Sequence, residues 1–460
     1  MPTQVYASTS VFVRPASAVI VQAVPGALAE VSAAIRARGL TRVVKYGPFK
    51  GIQPSSPTGF SADRQIPAFD MHAAVLDAAS ITDLAQSPYV AAIWDDAPVR
   101  ISQFPSVPPA GAWPIQVASQ SGAGPVTLNF TSTDWTRKLL GADVANAAGF
   151  SGQGVRACVV DTGGWVHPMT RRAASLTAIP GNRVDVVSHG LWCLSALGGT
   201  RYRDATFCAA TGAPVYCEGM APRCGLLAVK ALDFVVGTAP TSVLLVGLSM
   251  ALAQRADVVS LSWGGPATAP SPEADPFYPA MQALDAAGVL VFAAAGNSGP
   301  GPGTLDSPGA LPQPVTVGAY NAVSNSFNGM FGPAGEVCEF SSRGPTPWGA
   351  VKPDCVAPGA IIDSGVSPFS EMAVSYTQRP HECQAIAGTS MATPQAAGIG
   401  VLMRQAHAQF LGKVLTGEEV KAMLSALGGS PSNDSGSGPL SWSMYATWLN
   451  SQYGVTVPGA

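Results

Sequence analysis

Charge is scarce in this 460-residue chain. Asp, Glu, Lys and Arg together make up 12%, against 47% hydrophobic residues. That balance excludes a disordered chain and leaves room for a large core and two or three domains. Basic runs are missing too, and with a net charge of −3 nucleic acid is not expected as a partner. No apolar run is long enough to span a bilayer. The most apolar stretch, TSVLLVGLSMALAQRADVVSLSW, is interrupted by Arg255 and Asp257 and reads as a buried helix followed by a buried strand. The first residues lack a basic segment followed by an apolar stretch and a small-residue cleavage site, so no secretory leader is read in them. No repeat at a fixed period is present.

Cysteine is absent from the first 157 residues. The eight that follow, at 158, 193, 208, 217, 224, 338, 355 and 383, include no C-x-x-C pair, which counts against zinc. Cys208, Cys217 and Cys224 crowd one loop region, which favours at least one disulfide. A disulfide-stapled domain points to an extracellular or cell-surface location. Buried inert thiols, or the cytosol of a thermophile, are the alternatives.

Residues 17 to about 101 read as a small α+β domain. ASAVIVQAV is a strand; GALAEVSAAIRARG places Leu28, Val31 and Ile35 at helical spacing and ends at Gly39. TRVVKY and PAFDMHAAVL read as two further strands, Ser80 with Asp83 as the cap of a short helix, and YVAAIW as a last strand. The order β-α-β-β-α-β is ferredoxin-like. Residues 103–133 are rich in Pro, Gly and Ser without a sustained period and read as a linker or extended segment. The expected division is therefore 1–102, 103–133 and 134–460.

Beyond 134, short apolar runs alternate with helical stretches: VRACVV, CGLLAVKAL, DVVSLSW, VLVFAAA and QPVTVGAY. This is the pattern of an α/β protein whose parallel sheet is covered by helices on both faces. TGEEVKAMLSAL carries Thr416 and Glu419 at capping-box spacing.

Polar residues punctuate the ends of these runs: Asp161 in VVDTGGWVHP, His189 in SHGLWCLSAL, Asn297 in AAAGNSGPG and Ser390 in GTSMATPQAAG. Taken singly, each has a commonplace reading: an Asp turn, a structural histidine, a Gly-Asn turn and a helix cap. Together they supply a carboxylate, a base, a side-chain N–H donor and a hydroxyl, the parts of an acyl-transfer site. The strings VVDTG, SHG, AAAGNSG, FSSRGP, KPDCVAPG and GTSMATP, in that order from 134 to 445, resemble those of the subtilisin-like serine proteases. The resemblance implies a three-layer α/β sandwich with a mainly parallel sheet. It also implies a serine endopeptidase in which Asp161, His189 and Ser390 form a triad. The Ser390 backbone N–H and Asn297 would line the oxyanion hole. Ser262, Trp263, Gly264, Ala295 and Gly296 would bind substrate, which should pair in extended form with the LSWGG segment. The N-terminal domain resembles the propeptides of this family, with AAVLDAASITDLAQSPYVAAIWDDAPVR carrying the likeness. It would then be an intramolecular inhibitor and folding aid.

The chain also departs from the family pattern. HGLWCLS stands where HGTHVAG is usual, so Trp192 replaces a second histidine and Cys193 is a buried thiol or half of a bridge, the thiol being favoured. HPMT replaces HPDL, which removes an expected calcium ligand. No cofactor is required by this reading; a structural calcium has no assignable site. Aligning Pro308-Gly309 with the family's pocket segment puts Asp306 at the floor of the specificity pocket, where a carboxylate would favour Lys or Arg. Three alternatives are a structural role for the whole chain, of which the sequence gives no direct sign, a catalytically inactive member of the fold serving binding or assembly, and an acid protease of the sedolisin type. His189 and Asn297 count against the third.

Overall fold

The computed structural model describes residues 4–5, 16–38, 43–44, 60–61, 63–101, 131–164, 166–179, 185–205, 208, 214–232, 237–322, 331–368 and 382–458.

The N-terminal unit is built on strand alternation. Strand β1 is Gln4–Val5 and β2 is Ser17–Ala23. Val19, Val21 and Ala23 of β2 face α1 (Leu28–Ala37), packing on its Val31 and Ile35, while Ile20 faces the opposite way. β3 (Val43–Val44) pairs with β4 (Phe60–Ser61), and β5 (Arg64–Ile66) pairs with β6 (Met71–Leu76). Helix α2 (Ala78–Leu84) and β7 (Val90–Asp95) complete the unit. The sheet order β1-β7-β2-β6-β5 contains the ferredoxin-like arrangement.

Three local expectations are corrected here. The second strand beside β6 is β5 and not TRVVKY, whose Val43–Val44 pairs with β4 in a separate ladder. A short connection decides this: Pro67–Phe69 form one tight turn closed by Asp70 in the left-handed region at φ 52°. A neighbour four residues away closes its loop at less entropic cost than one far upstream. For the same reason the strand read from Pro67 begins only at Met71. The cap of α2 is Asp77, whose Oδ1 accepts the Ser80 N–H at 2.7 Å; Ser80 is already inside the helix.

In the larger unit β8 is Pro98–Ile101 and β9 is Thr131–Ser132; β9 runs straight into α3 (Thr133–Leu139) and is followed by α4 (Ala142–Ala147). The last three residues of the expected linker are thus strand and helix start. The rest of that segment lies outside the described residues. Seven strands form the central sheet. They are β10 (Arg156–Asp161), β11 (Ala174–Thr177), β14 (Gly225–Lys230), β16 (Val258–Leu261), β18 (Leu290–Ala294), β20 (Val315–Tyr320) and β21 (Cys355–Pro358). Their order is β11-β14-β10-β16-β18-β20-β21 and every neighbouring pair is parallel. Both faces are buried, which explains the unbroken apolar runs. Ala157 and Val159 of β10 pack with α5 (His189–Gly198) and α8 (Thr389–Leu411). Cys158 and Val160 pack with α6 (Thr241–Ala253) and α7 (Tyr278–Ala286). Helix α9 (Gly417–Leu427) starts with the expected capping box of Thr416 and Glu419, and α10 (Trp442–Tyr453) follows.

The N-terminal unit docks on the α6 and α7 face. Ile20, Ile66, Phe69, Met71 and Trp94 join the core of that face, and the Trp94 indole donates to the Ala274 carbonyl at 3.0 Å. Asp96 caps α6, accepting from the Ser242 N–H at 2.8 Å and its hydroxyl at 2.7 Å. Immediately after it, β8 runs antiparallel between β15 (Thr238–Pro240) and β17 (Trp263–Pro266). β19 (Asp306–Ser307) pairs with the other edge of β17.

All eight cysteines are buried thiols. The bridge expected among Cys208, Cys217 and Cys224 is not formed. Cys208 Sγ is held by the Val215 backbone, Cys217 Sγ turns to Asp363, and Cys224 packs at Gly198. Cys193 is the thiol that was favoured.

Candidate active site

The order in which the chain adds strands reverses between β10 and β16. Strands β14 and β11 lie to one side of β10, and β16, β18, β20 and β21 to the other. Such a switch opens a crevice at the carboxyl ends of the strands. Asp161 ends β10, and Ser262 follows directly on β16.

Asp161 and His189 are fully buried, and the imidazole Nδ1 lies 2.8 Å from Asp161 Oδ1. The same carboxylate oxygen accepts the Thr162 N–H at 2.6 Å, and Thr162 Oγ1 accepts the Gly190 N–H at 2.8 Å. These bonds fix the strand end to the start of α5. Nδ1 facing a carboxylate is the protonated nitrogen, which leaves Nε2 as the basic one. Ser188 precedes the helix in the left-handed region at φ 69°, held by Asp185, whose two oxygens accept the Ser188 and Leu191 N–H groups at 2.7 and 3.0 Å. Asp185 is wholly buried; desolvation raises its pKa, and the positive charge of Lys230 opposes that. Lys230 Nζ donates to the Thr162 carbonyl at 2.9 Å. Asp185 and Lys230 therefore brace both halves of the Asp161–His189 pair from beneath. Sequence reading missed them; an Asp four residues before a helix-start histidine was the available signal.

Ser390 arrives on the other side, at the second position of α8, after a Gly388 cap. It is therefore not the helix cap. Its hydroxyl donates to the Ser262 carbonyl at 2.9 Å, and the Ser262 hydroxyl donates back to the Ser390 carbonyl at 3.0 Å. Helices α5 and α8 pack side by side. Cys193 touches both sets of groups: its Sγ is within 4.8 Å of the Asp161 and His189 donor atoms and 3.6 Å from the Ser390 carbonyl oxygen. The structure thus brings Asp161, His189 and Ser390 to one crevice. Trp192, in place of the family's second histidine, uses its indole N–H to bind the Gln384 carbonyl at 2.9 Å.

Asn297 is oriented by Thr389, whose N–H and hydroxyl donate to its Oδ1 at 2.9 and 2.8 Å. The amide nitrogen consequently turns to Gly388. A Cβ placed on Gly388 would lie 3.1 Å from Asn297 Nδ2 and 3.6 Å from the Ser390 backbone nitrogen. The bare face of this glycine, at φ 152°, is the space between two N–H donors at a helix N-terminus.

Gly264 pairs with Arg100 and Trp263 with Ile101, so the expected substrate-pairing strand is occupied by this chain's own β8. The Ile101 N–H donates to the Gly237 carbonyl at 2.7 Å on the other side. Asp306 is buried behind that strand. A Cβ on Gly264 would fall 2.6 Å from Asp306 Cβ, and one on Gly296 would fall 2.7 Å from Asp306 Oδ2. Ala295 takes the Asp306 N–H at 2.8 Å. Burial pushes the Asp306 carboxyl up to about 7. His167 and Met169 of the HPMT segment turn inward, His167 Nδ1 accepting the Met169 N–H at 3.1 Å.

With this geometry in place the relatives are informative. The Subtilase family matches residues 152–427, more than half of the chain, and the protein belongs to that family. It is 33% identical over 297 residues to Serine protease AprX of Bacillus subtilis (strain 168), covering 61% of this chain and 62% of the relative. It is 30% identical to the M-protease of Shouchella clausii (strain KSM-K16), again over 61% and 62% of the two chains. The mouse Membrane-bound transcription factor site-1 protease is 30% identical over 276 residues, 58% of this chain but 22% of that protein. The match thus spans less than two thirds of the length of each of these relatives. Among the described residues no helix is long and apolar enough to cross a membrane.

Filling the space over Gly388 gives a direct test of the donor pocket. In Gly388→Ala a methyl group would sit between the Asn297 and Ser390 N–H donors, where the expected oxyanion would be held. Peptide-ester hydrolysis should fall by at least ~100-fold in kcat, the effect of losing one such donor. Thermal stability measured alongside separates this from unfolding, and a folded variant with unchanged kcat would contradict the assignment.

Proposed function

We propose that this protein is a serine endopeptidase that cuts extended polypeptides and is made as a zymogen. Residues 1–102 act as its intramolecular inhibitor and folding aid, and residues 134–460 carry the catalytic unit. One observation carries the reading. β8 lies between Gly237 and the Trp263–Gly264 backbone, the place an extended substrate would take in this reading, and its last described residue, Ile101, pairs with the neighbour of Ser262, which binds Ser390.

The chemistry follows from the atoms. The Ser390 hydroxyl rotates from the Ser262 carbonyl toward His189 and attacks the substrate carbonyl as Nε2 takes its proton. Asp161 orients the ring and stabilises the imidazolium. The Ser390 N–H and Asn297 Nδ2 hold the oxyanion. Losing the asparagine donor would cost on the order of 3 kcal/mol of barrier. His189 then protonates the leaving amine, and water releases the acyl group by the same steps in reverse. Pairing along Ser262–Gly264 requires an extended substrate, as in β-augmentation.

N-terminal sequencing tests the zymogen. The purified wild-type protein should begin within a few residues after Ile101, and Ser390→Ala should remain full length. If both stay whole, self-maturation is wrong; if both are cut alike, another protease does the cutting.

Asp306, with Gly264 and Gly296 as walls, would form the floor of the specificity pocket and select Lys or Arg. A carboxyl raised to about 7 is neutral below that pH and charged above it, so the preference should grow as pH rises through 7. The ratio of kcat/KM for Arg over Phe substrates cancels any pH dependence that the two substrates share. It should increase at least ~10-fold between pH 5.5 and 8.5, the effect of a close charge pair. In Asp306→Asn the ratio should become flat. Equal cleavage after Phe and Arg at high pH would remove Asp306 from this role.

A further inference from the structure

A second buried cluster of donors has no part in the chemistry above. Cys217 ends the short strand β13 (Tyr216–Cys217), which pairs with β12 (Tyr202–Arg203). Asp363 lies in β22 (Ile362–Gly365), and Cys383 opens β23 (Cys383–Ile386). The two sulfurs and a carboxylate oxygen all lie within 4.8 Å of one another. The Cys217 thiol donates to Asp363 Oδ2 at 3.1 Å. Asp204, 3% exposed, acts on the same carboxyl. Among the described residues, the groups acting most strongly on Asp363 and on Cys383 are acidic: Cys217, Asp363, Asp204 and Glu382. Cys217, Cys383, Asp363 and Asp204 are four acids gathered out of water, and such a set is stable only as neutral groups or around a cation.

We propose that Cys217, Cys383 and Asp363, with Asp204 as a neighbouring carboxylate outside the ligand set, bind a thiophilic divalent cation of the Zn2+ class. Zinc takes sulfur at ~2.3 Å and oxygen at ~2.0 Å in a tetrahedron, so its ligand atoms sit ~3.5 Å apart. Cys217 Sγ and Asp363 Oδ2, 3.1 Å apart, are already near that spacing, and Cys383 Sγ lies within 4.8 Å of both. Two sulfurs exclude Ca2+ or Mg2+, which select oxygen cages. A disulfide fits the same residues less well. Bonding the sulfurs would remove the S–H that Asp363 accepts and leave a buried carboxyl facing Asp204 without it. A bound cation would instead satisfy both sulfurs and Asp363 as their protons leave. It would tie the β12–β13 hairpin to β23, the strand that leads from Cys383 into Thr389 and Ser390. The spacing rule that counted against zinc looks for neighbouring cysteines; these two meet only through the fold.

Ser390→Ala protein, kept full length and purified without chelator or reductant, provides the test. Elemental analysis should find about one Zn2+ per chain. Exchange for Cd2+ should produce an ultraviolet thiolate-to-metal band. Cys217→Ser and Cys383→Ser should each lose both signals. Should these variants fail to fold, the parent protein gives a second reading. Removing the metal by chelation should raise alkylation of Cys217 and Cys383, mapped by mass spectrometry, at least ~10-fold over the other six thiols. A parent without zinc, zinc retained in folded Cys383→Ser, or a mapped Cys217–Cys383 disulfide would each overturn the site.

Discussion

The buried contact between Asp161 and His189 is the constraint around which the rest of this molecule is arranged. A carboxylate with no exposure to water is tolerated only where donors are aimed at it. Here they are the Thr162 N–H and the imidazole. Both come from segments whose positions the central sheet decides: the end of β10 and the start of α5. Asp185 and Lys230, braced against the same loop, keep that contact from relaxing. The reversal of strand order beside β10 then leaves the crevice open for Ser262, Asn297 and Ser390.

The N-terminal unit belongs to the same construction. Its sheet adds apolar side chains to the core over α6 and α7, and its Asp96 completes the N-terminus of α6. These contacts deliver β8 to the crevice as a ready-made strand. An element held by an apolar face, a helix cap and two ladders of backbone bonds would leave slowly if the chain were cut after it. Inhibition by such a unit would come from the same forces that hold any sheet together, without a special device.

Much of this was legible from the sequence. Strands buried on both faces announce themselves as apolar runs, and β10, β14, β16, β18 and β20 were read within a residue or two of their observed ends. The polar residues closing those runs, Asp161 and Asn297, stand out because they break a pattern. Other parts were not legible. β11 and β21 are short edge-region strands without a distinctive period, and β5 took the place of TRVVKY because a tight turn outcompeted a stronger β-former. Lys230 reads as the last residue of an ordinary strand; that its ammonium is buried beneath the Asp161–His189 pair depends on tertiary contacts. The Cys217, Asp363 and Cys383 cluster joins three distant segments, and spacing rules do not reach across such distances. The disulfide expected near Cys208 failed for a related reason: closeness in sequence did not bring those sulfurs together.

The central claim is that His189, held by Asp161, activates Ser390. Labelling of the folded protein with a fluorophosphonate, followed by mass mapping of the adduct, tests it most directly. The account predicts one modified residue, Ser390, and loss of the modification in His189→Ala. Folded protein with its N-terminal unit cut away that leaves Ser390 unmodified, or that labels equally without His189, would contradict it.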